Sequence, residues 1–467
     1  MKLFNNIGSF LREITDPDET PDELLAERYG ETITPNMRAL RLAMTVADYL
    51  LSMGVPVSDV VGTALDITGR YCKRKVSIDI SSTVMMFSQY RGNDREPLTL
   101  IRTSVARSVN SSTIQSLEEI SHDIHAGKLS LEQAEKQLED VLDNPKQRPL
   151  WLVTVGNGAI SAGVGALLSG SLLIIAATFI VGGFISYVLV KLAARQMPTF
   201  FVQVVAATIS TIVAATLTWL GNHGVSQLAG LNPNLIIIGG IVMLVSGLAI
   251  VGAVEDAIDE YYVTAMARIL RIVMMTAGII VGIALGLFVA KHIGVHMVVN
   301  TNAPLLNTLS WQYVGAIMIA AGYALSVHAR LKGIILAGLI GAASWGVFVL
   351  ASANFSSVVS SFIAATVVGG VATLLSRLLR TPSTIMITAG IIPLVPGLTL
   401  FNGLMVLIIG NTDTNIQVGS GSSLLLTALL IALAIAAGAT LGNLIARPIR
   451  RTLVRAQNAL PRRNLRG

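Results

Sequence analysis

Pro393, Pro396 and Gly397 fall together in GIIPLVPGLTL, Gly390 to Leu400, within a run otherwise apolar enough to cross a bilayer. Proline lacks a backbone donor and clashes with the preceding helical turn. In hydrocarbon the carbonyls so released must find partners inside the protein or in a wet cavity. A helix broken here also presents the N–H groups of its second piece, whose dipole attracts an anion such as a carboxylate. Thr399 and Asn402, one turn on, add groups able to bond an ammonium or a hydroxyl. The chemistry expected is therefore recognition of a small polar solute, with Pro396 breaking the helix and Gly397 admitting a close approach. The competing structural reading is a kink that merely packs against neighbouring helices.

A second stretch shares the pattern. GIVMLVSGLAI, Gly240 to Ile250, matches GIIPLVPGLTL without a gap at Gly, Ile, Leu, Val, Gly and Leu. Ser246 and Gly247 occupy the places of Pro396 and Gly397. Interrupted segments at matching positions of two halves are the sequence pointer to a transporter binding site, so Ser246 and Gly247 join the candidate substrate residues.

Acidic groups follow directly. Glu255, Asp256, Asp259 and Glu260 succeed the second stretch, with Tyr261 and Tyr262 behind them. A carboxyl beside a membrane cavity can have a raised pKa and carry a proton. Asp256, helped by Glu255, is the candidate for proton coupling. The alternative is a solvated loop whose acids pair with Arg268 and Arg271. On a continuous helix Asp256 and Glu260 would be repelling i, i+4 neighbours.

Asn157, between Gly156 and Gly158, is a further substrate candidate, either lining a pathway or capping a helix. His292 and His296 have a helical metal spacing but no third ligand nearby, so no metal is expected. His122 and His125 read as surface residues. Gly278, Gly282 and Gly286 form two GxxxG steps, a close-packing face. No cofactor is implied.

The elements that position these residues are apolar. Of 467 residues 53% are hydrophobic and 13% charged, against roughly a quarter charged in soluble domains; the mean hydropathy is +0.68. Spanning helices need about 20 apolar residues. Ten candidates emerge: 150–169, 171–190, 199–220, 234–254, 269–290, 311–328, 332–352, 355–376, 384–409 and 422–445. With the N-terminus inside, Lys191, Arg195, Arg268, Arg271, Arg330, Lys332, Arg377 and Arg380 fall on the inner side, and Lys291 alone on the outer. The tail 447–467 adds seven arginines inside. This asymmetry follows the positive-inside rule, which accounts for the basic tail better than nucleic-acid binding does. Cys72 is the only cysteine, so no intramolecular disulfide forms. No apolar run precedes Asp16, so no signal peptide is expected.

Residues 1–36 read as a polar leader and 37–149 as a cytoplasmic α+β domain. Met37 to Met53 carries a helical stripe of Leu40, Met44, Ala47 and Leu51, ended by Gly54. KVSIDI, STVMMFSQY and LTLIRTSV read as strands. Ile114, Leu117, Ile120 and Ile124 mark another helix, and Ser130 with Gln133 a capping box opening the next.

Two further matches accompany the first: GAISAGVGAL (Gly158 to Leu167) with GAIMIAAGYA (Gly315 to Ala324), and GIALG (Gly282 to Gly286) with GATLG (Gly438 to Gly442). They keep the same order in 150–300 and 301–446. Five spans per half is odd, so the second copy enters from the opposite side. An inverted 5+5 repeat is a recurrent architecture of secondary transporters.

LVPGLTLFNG, the segment GAVEDAIDEYYVTAMAR and the ten-span layout behind an N-terminal domain resemble the threonine/serine exporter family in its long, fused form. The resemblance covers most of 37–445. It implies proton-driven efflux of threonine and serine across a bacterial inner membrane, with both termini cytoplasmic. The expectation is a polytopic α-helical transporter, not an enzyme, whose partners are a small amino acid, protons and lipid. The rivals are an exporter of another small polar metabolite, a passive channel, and a membrane-anchored hydrolase acting through residues 37–149. No nucleophile–base constellation supports the hydrolase.

Overall fold

The computed structural model of the protein describes residues 35–72, 74–90, 96–169, 171–195, 197–223, 232–242, 244, 247–295, 307–379, 383–397, 399–400, 402–403, 406 and 418–459. Residues 1–34 of the leader, residues 460–467 of the basic tail, Ser246 and His296 lie outside these residues.

The N-terminal unit opens with α1 (Pro35–Ser52) and α2 (Val57–Tyr71). Leu40, Met44, Ala47 and Leu51 of α1 are all buried, and Gly54 turns the chain at φ +90°. A three-stranded antiparallel meander follows: β1 (Val76–Ser81), β2 (Val84–Gln89) and β3 (Leu98–Thr103). Side chains alternate across its faces with period two. Val76, Ile80, Met85 and Phe87 point into the core, while Met86 and Ile101, directly opposed, face outward. Helices α3 (Ser111–His125) and α4 (Leu131–Asp143) complete the core. Asn110 caps α3 by accepting from Ser112 N and Thr113 N, and Ser130 with Gln133 forms the expected capping box on α4.

From Leu150 onward the described residues are mostly helical: α5 (Leu150–Leu168), α6 (Leu172–Ala193), α7 (Thr199–Asn222), α8 (Pro233–Val242), α9 (Gly247–Ile258), α10 (Tyr262–His292), α11 (Leu309–Ser326), α12 (Leu331–Ser352), α13 (Ser357–Leu379), α14 (Ser383–Ile391) and α15 (Val418–Ala459). Among the described residues seven helices are long and apolar enough to cross a membrane. The chain is a polytopic α-helical membrane protein. Three expected spans fall outside the seven for physical reasons. The fourth and ninth are divided, leaving the short apolar pieces Pro233–Val242 and Ile385–Leu394. The sixth, α11, carries Gln312, which is satisfied by Trp345 Nε1 of α12 at 3.0 Å. Helix α10 begins ahead of its apolar run, so Arg268 and Arg271 lie on the helix and not in a loop.

Small residues let these helices approach closely. A Cβ on Gly163 would lie 2.7 Å from Gly315 O, and one on Gly322 would lie 2.6 Å from Gly156 O. Helices α5 and α11 therefore cross antiparallel through their glycines. Gly278, Gly282 and Gly286 of α10 press on α7 as the spacing predicted, with a Gly278 Cβ 2.8 Å from Phe200 O. Overpacking such a contact costs about 1–3 kcal/mol or more. Gly315→Val should therefore lower the melting temperature of the detergent-solubilised protein by several degrees, read by thermal-shift size-exclusion chromatography. An unchanged midpoint would mean that α5 and α11 are not in this contact.

Candidate functional site: two interrupted helices and an adjoining acidic cluster

Helix α14 stops at Ile391 because Pro393 brings no N–H to the Ala389 carbonyl. The chain tightens into a 3-10 turn, Ile392–Leu394, closed by Val395 N donating to Ile392 O at 3.1 Å. Pro396 then starts the second piece: Leu400 N donates to Pro396 O at 2.9 Å, and Gly397 is helical. Proline suits a helix start, where its missing N–H has no partner to lose. In the other stretch α8 ends at Val242, with Leu244 N donating to Ile241 O at 2.7 Å, and α9 starts at Gly247.

The two interruptions meet. A Cβ built on Gly397 would lie 3.1 Å from Val242 Cγ2. Pro393 and Asn402 are buried, whereas Pro396, Gly397 and Thr399 are partly accessible. Residues missed in the sequence pack against α8 just before its break, and of these Ser210 turns its hydroxyl to the helix, Oγ donating to Ile237 O at 3.4 Å. Gly239 faces Thr178, where a Cβ would lie 2.7 Å from Thr178 Cγ2, and Gly240 faces Ser210. Ser161, fully buried, has no hydrogen-bond partner for its Oγ. The matching glycine of the other half, Gly390, meets only carbon: Ile340 Cγ2 at 2.6 Å and Val368 Cγ1 at 2.7 Å. Ser210 thus gives Gly240 a hydroxyl neighbour where Gly390 has aliphatic ones. These hydroxyl positions repeat at no motif spacing, so only the packing reveals them.

Asn157 is not a cap. Pro149 holds the N-cap position of α5 with no side-chain capping bond, and Asn157 Nδ2 instead donates to Ser186 Oγ of α6 at 2.8 Å. His292 Nδ1 lies 3.0 Å from Phe288 O, and the described residues contain no group of three metal-ligating side chains. His125 sits 3.4 Å from Asp66.

The acids lie at the end of α9, past the apolar run. Asp256 is fully buried. Its Oδ1 accepts from Val57 N of α2 at 2.9 Å, and its Oδ2 lies 3.0 Å from Arg268 Nη1. Burial raises the Asp256 pKa, against the opposing pull of Arg268 and the Val57 N–H. Pairing with Arg268 is the arrangement the alternative reading expected, but it occurs in a dry contact with the N-terminal domain and not in a solvated loop. Glu255 is partly accessible. Burial first, then the negative charges of Asp59, Asp256 and Asp259, push its carboxyl up to about 8, with Arg268 opposing. Glu260, at φ +69°, lies in the turn between α9 and α10, so the expected i, i+4 repulsion with Asp256 has no helix to act on.

Paired interrupted helices inside an apolar bundle define this as a polytopic membrane protein of the transporter type. The family model described as "Putative threonine/serine exporter" matches residues 41–290, and "Threonine/Serine exporter, ThrE" matches residues 312–445. The chain belongs to the threonine/serine exporter family. It is 31% identical over 421 residues to a "Probable threonine/serine exporter" of Mycobacterium tuberculosis, covering 88% of this chain and 77% of that protein. It is 29% identical over 419 residues to a "Threonine/serine exporter" of Corynebacterium glutamicum, covering 88% of this chain and 83% of that protein. No solved structure matches the chain.

Proposed function

We infer that this chain is a secondary transporter that exports threonine and serine from the bacterial cytoplasm by proton antiport. In this reading ten spans form two five-span halves of opposite orientation, 150–300 and 301–446. The 37–149 domain and the 447–467 tail are cytoplasmic. The observation that carries the reading is the contact of the two helix interruptions, Val242 against Gly397, at matching positions of the two halves.

Matched packing supports the duplication. Gly282 presses on Val204, Ala207 and Thr208, and Gly438 presses on Phe362, Ala365 and Thr366, with the same spacing in each trio. The antiparallel crossing of α5 and α11, the first helix of each half, is what a pseudo-twofold axis in the membrane plane requires.

The substrate site lies between the interruptions. The second piece of the ninth span, starting at Pro396, offers its N-terminus to the carboxylate. Thr399, Asn402 and Ser246 bond the ammonium and hydroxyl groups, Gly247 and Gly397 admit the substrate, and Asn157 borders the path. Glu255 is the proton carrier. Its carboxyl is pushed up to about 8 and stands near the end of α9, while Asp256 is committed to Arg268 and Val57.

Uptake of labelled threonine and serine into inverted vesicles tests the function directly. Accumulation driven by an imposed pH gradient and abolished by a protonophore is the expected result. Absence of accumulation under every gradient would contradict it.

A further inference from the structure

The N-terminal domain grips the helical bundle at two separate joints. The first is made to α11 and the turn before α12. Ser111 N donates to Val327 O at 2.7 Å, Arg148 N donates to His328 Nδ1 at 3.0 Å, and the Arg148 guanidinium donates to Ala329 O at 2.8 Å. Arg330 adds an ion pair with Glu119 at 3.4 Å. The chain itself runs through this joint into α5, which packs against α11, so the joint is covalently anchored.

The second joint is made to α9 and α10. Asp256 caps the N-terminus of α2 from a distant part of the chain, where a carboxylate is favoured by the helix dipole. Arg268 bridges back, its Nη2 donating to Val55 O at 3.1 Å. The β1–β2 turn adds Ser82 N donating to Thr264 Oγ1 at 2.9 Å. No covalent link runs through this joint. It holds α9, the half-helix that begins at the interruption. By the repeat correspondence, Glu255, Asp256 and Arg268 match Met405, Val406 and Leu424 in the other half. These charges therefore exist only where the domain docks.

We propose that the second joint is a releasable latch: the N-terminal domain, anchored beside α5 and α11, holds α9 in one state of the transport cycle and lets go in the other. The proposal rests on the transporter reading above. A rigid domain fixed to both halves would prevent them from moving against each other, whereas alternating access requires that motion. Separating the joint exposes Asp256 and Arg268 to water together, so neither charge is stranded in a dry site, the outcome that makes breaking one partner of a buried pair costly.

The test uses the full-length chain in a Cys72→Ala background, reconstituted in vesicles. Ser82→Cys with Thr264→Cys places a disulfide across the latch, and Ser111→Cys with Val327→Cys places one across the anchored joint. Oxidation of the first pair should lower threonine export at least tenfold, reversed by dithiothreitol. Oxidation of the second should leave export within twofold. Export undiminished by the first disulfide, or lowered equally by both, would overturn the latch. A second measurement covers a pair that exports poorly even when reduced. Saturating threonine should change the rate of Ser82→Cys/Thr264→Cys disulfide formation at least threefold, and an unchanged rate would overturn the proposal. Failure of the unmodified chain to export would instead count against the transporter reading.

Discussion

Gly397→Leu is expected to lower threonine export by about tenfold to a hundredfold while leaving the amount of folded protein in the membrane nearly unchanged. A Cβ at this position meets Val242 Cγ2 at 3.1 Å, close enough that one side must yield, and leucine adds further carbons beyond it. Overpacking costs about 1–3 kcal/mol, and about 1.4 kcal/mol is a factor of ten in an equilibrium. The cost falls on the approach of the two interruptions and not on a helix interior, so it is drawn from the conformation that closes the substrate site. Val242→Ala should restore a large part of the lost activity by vacating the space. A double-mutant cycle on initial export rates measures this coupling, which contacting residues show and distant ones do not. Additive effects of the two changes would mean that the interruptions do not face each other in the working protein.

Glu255→Gln should leave threonine counterflow intact and abolish accumulation driven by a pH gradient. Glutamine keeps the shape of the neutral carboxyl but cannot release a proton. Asp256→Asn should act differently: it weakens the contact with Arg268 and the cap on α2, and so loosens docking. A Glu255→Gln protein that still concentrates threonine under a pH gradient would exclude Glu255 as the carrier. The same group gives a stability signature. Its ordinary pKa of 4.5 rises to about 8 in the folded chain, so the unfolded state ionises first as the pH increases. The wild type should lose stability relative to Glu255→Gln as the pH rises from about 4.5 to about 8, and lose no more above that. Melting curves of the two proteins across this range check both the sign and the window.

The legible parts of the chain were those decided by nearby residues. KVSIDI and STVMMFSQY, rich in Val, Ile and Phe, located β1 and β2, and Ser130 with Gln133 located the start of α4. Pro393 and Pro396 marked the interruption after α14, because a missing N–H acts within one turn. The break between α8 and α9 contains no proline, and was legible only through its match to the second stretch. Helix α2 was missed: Gly62, Gly69 and three valines weaken its propensity, and its burial of Val60, Ala64 and Ile67 depends on packing against α1 and β1. Arg268 was legible as a partner of Asp256, but Val57 was not, since it lies 199 residues away along the chain. The hydroxyls of Ser161, Thr178 and Ser210 read as ordinary small residues in apolar helices. Only packing shows that Thr178 and Ser210 lie against Gly239 and Gly240, and Ser161 against Gly182.

The most direct measurement is substrate protection of a single cysteine placed between the interruptions. Thr399→Cys in a Cys72→Ala background removes the native thiol, which burial already pushes up to about 11. The rate of alkylation by N-ethylmaleimide is then followed in membranes. Threonine and serine should each slow the reaction in a saturable way, while amino acids that are not exported should not. Identical rates with and without threonine, at concentrations that saturate export, would contradict a substrate site between the two interrupted helices.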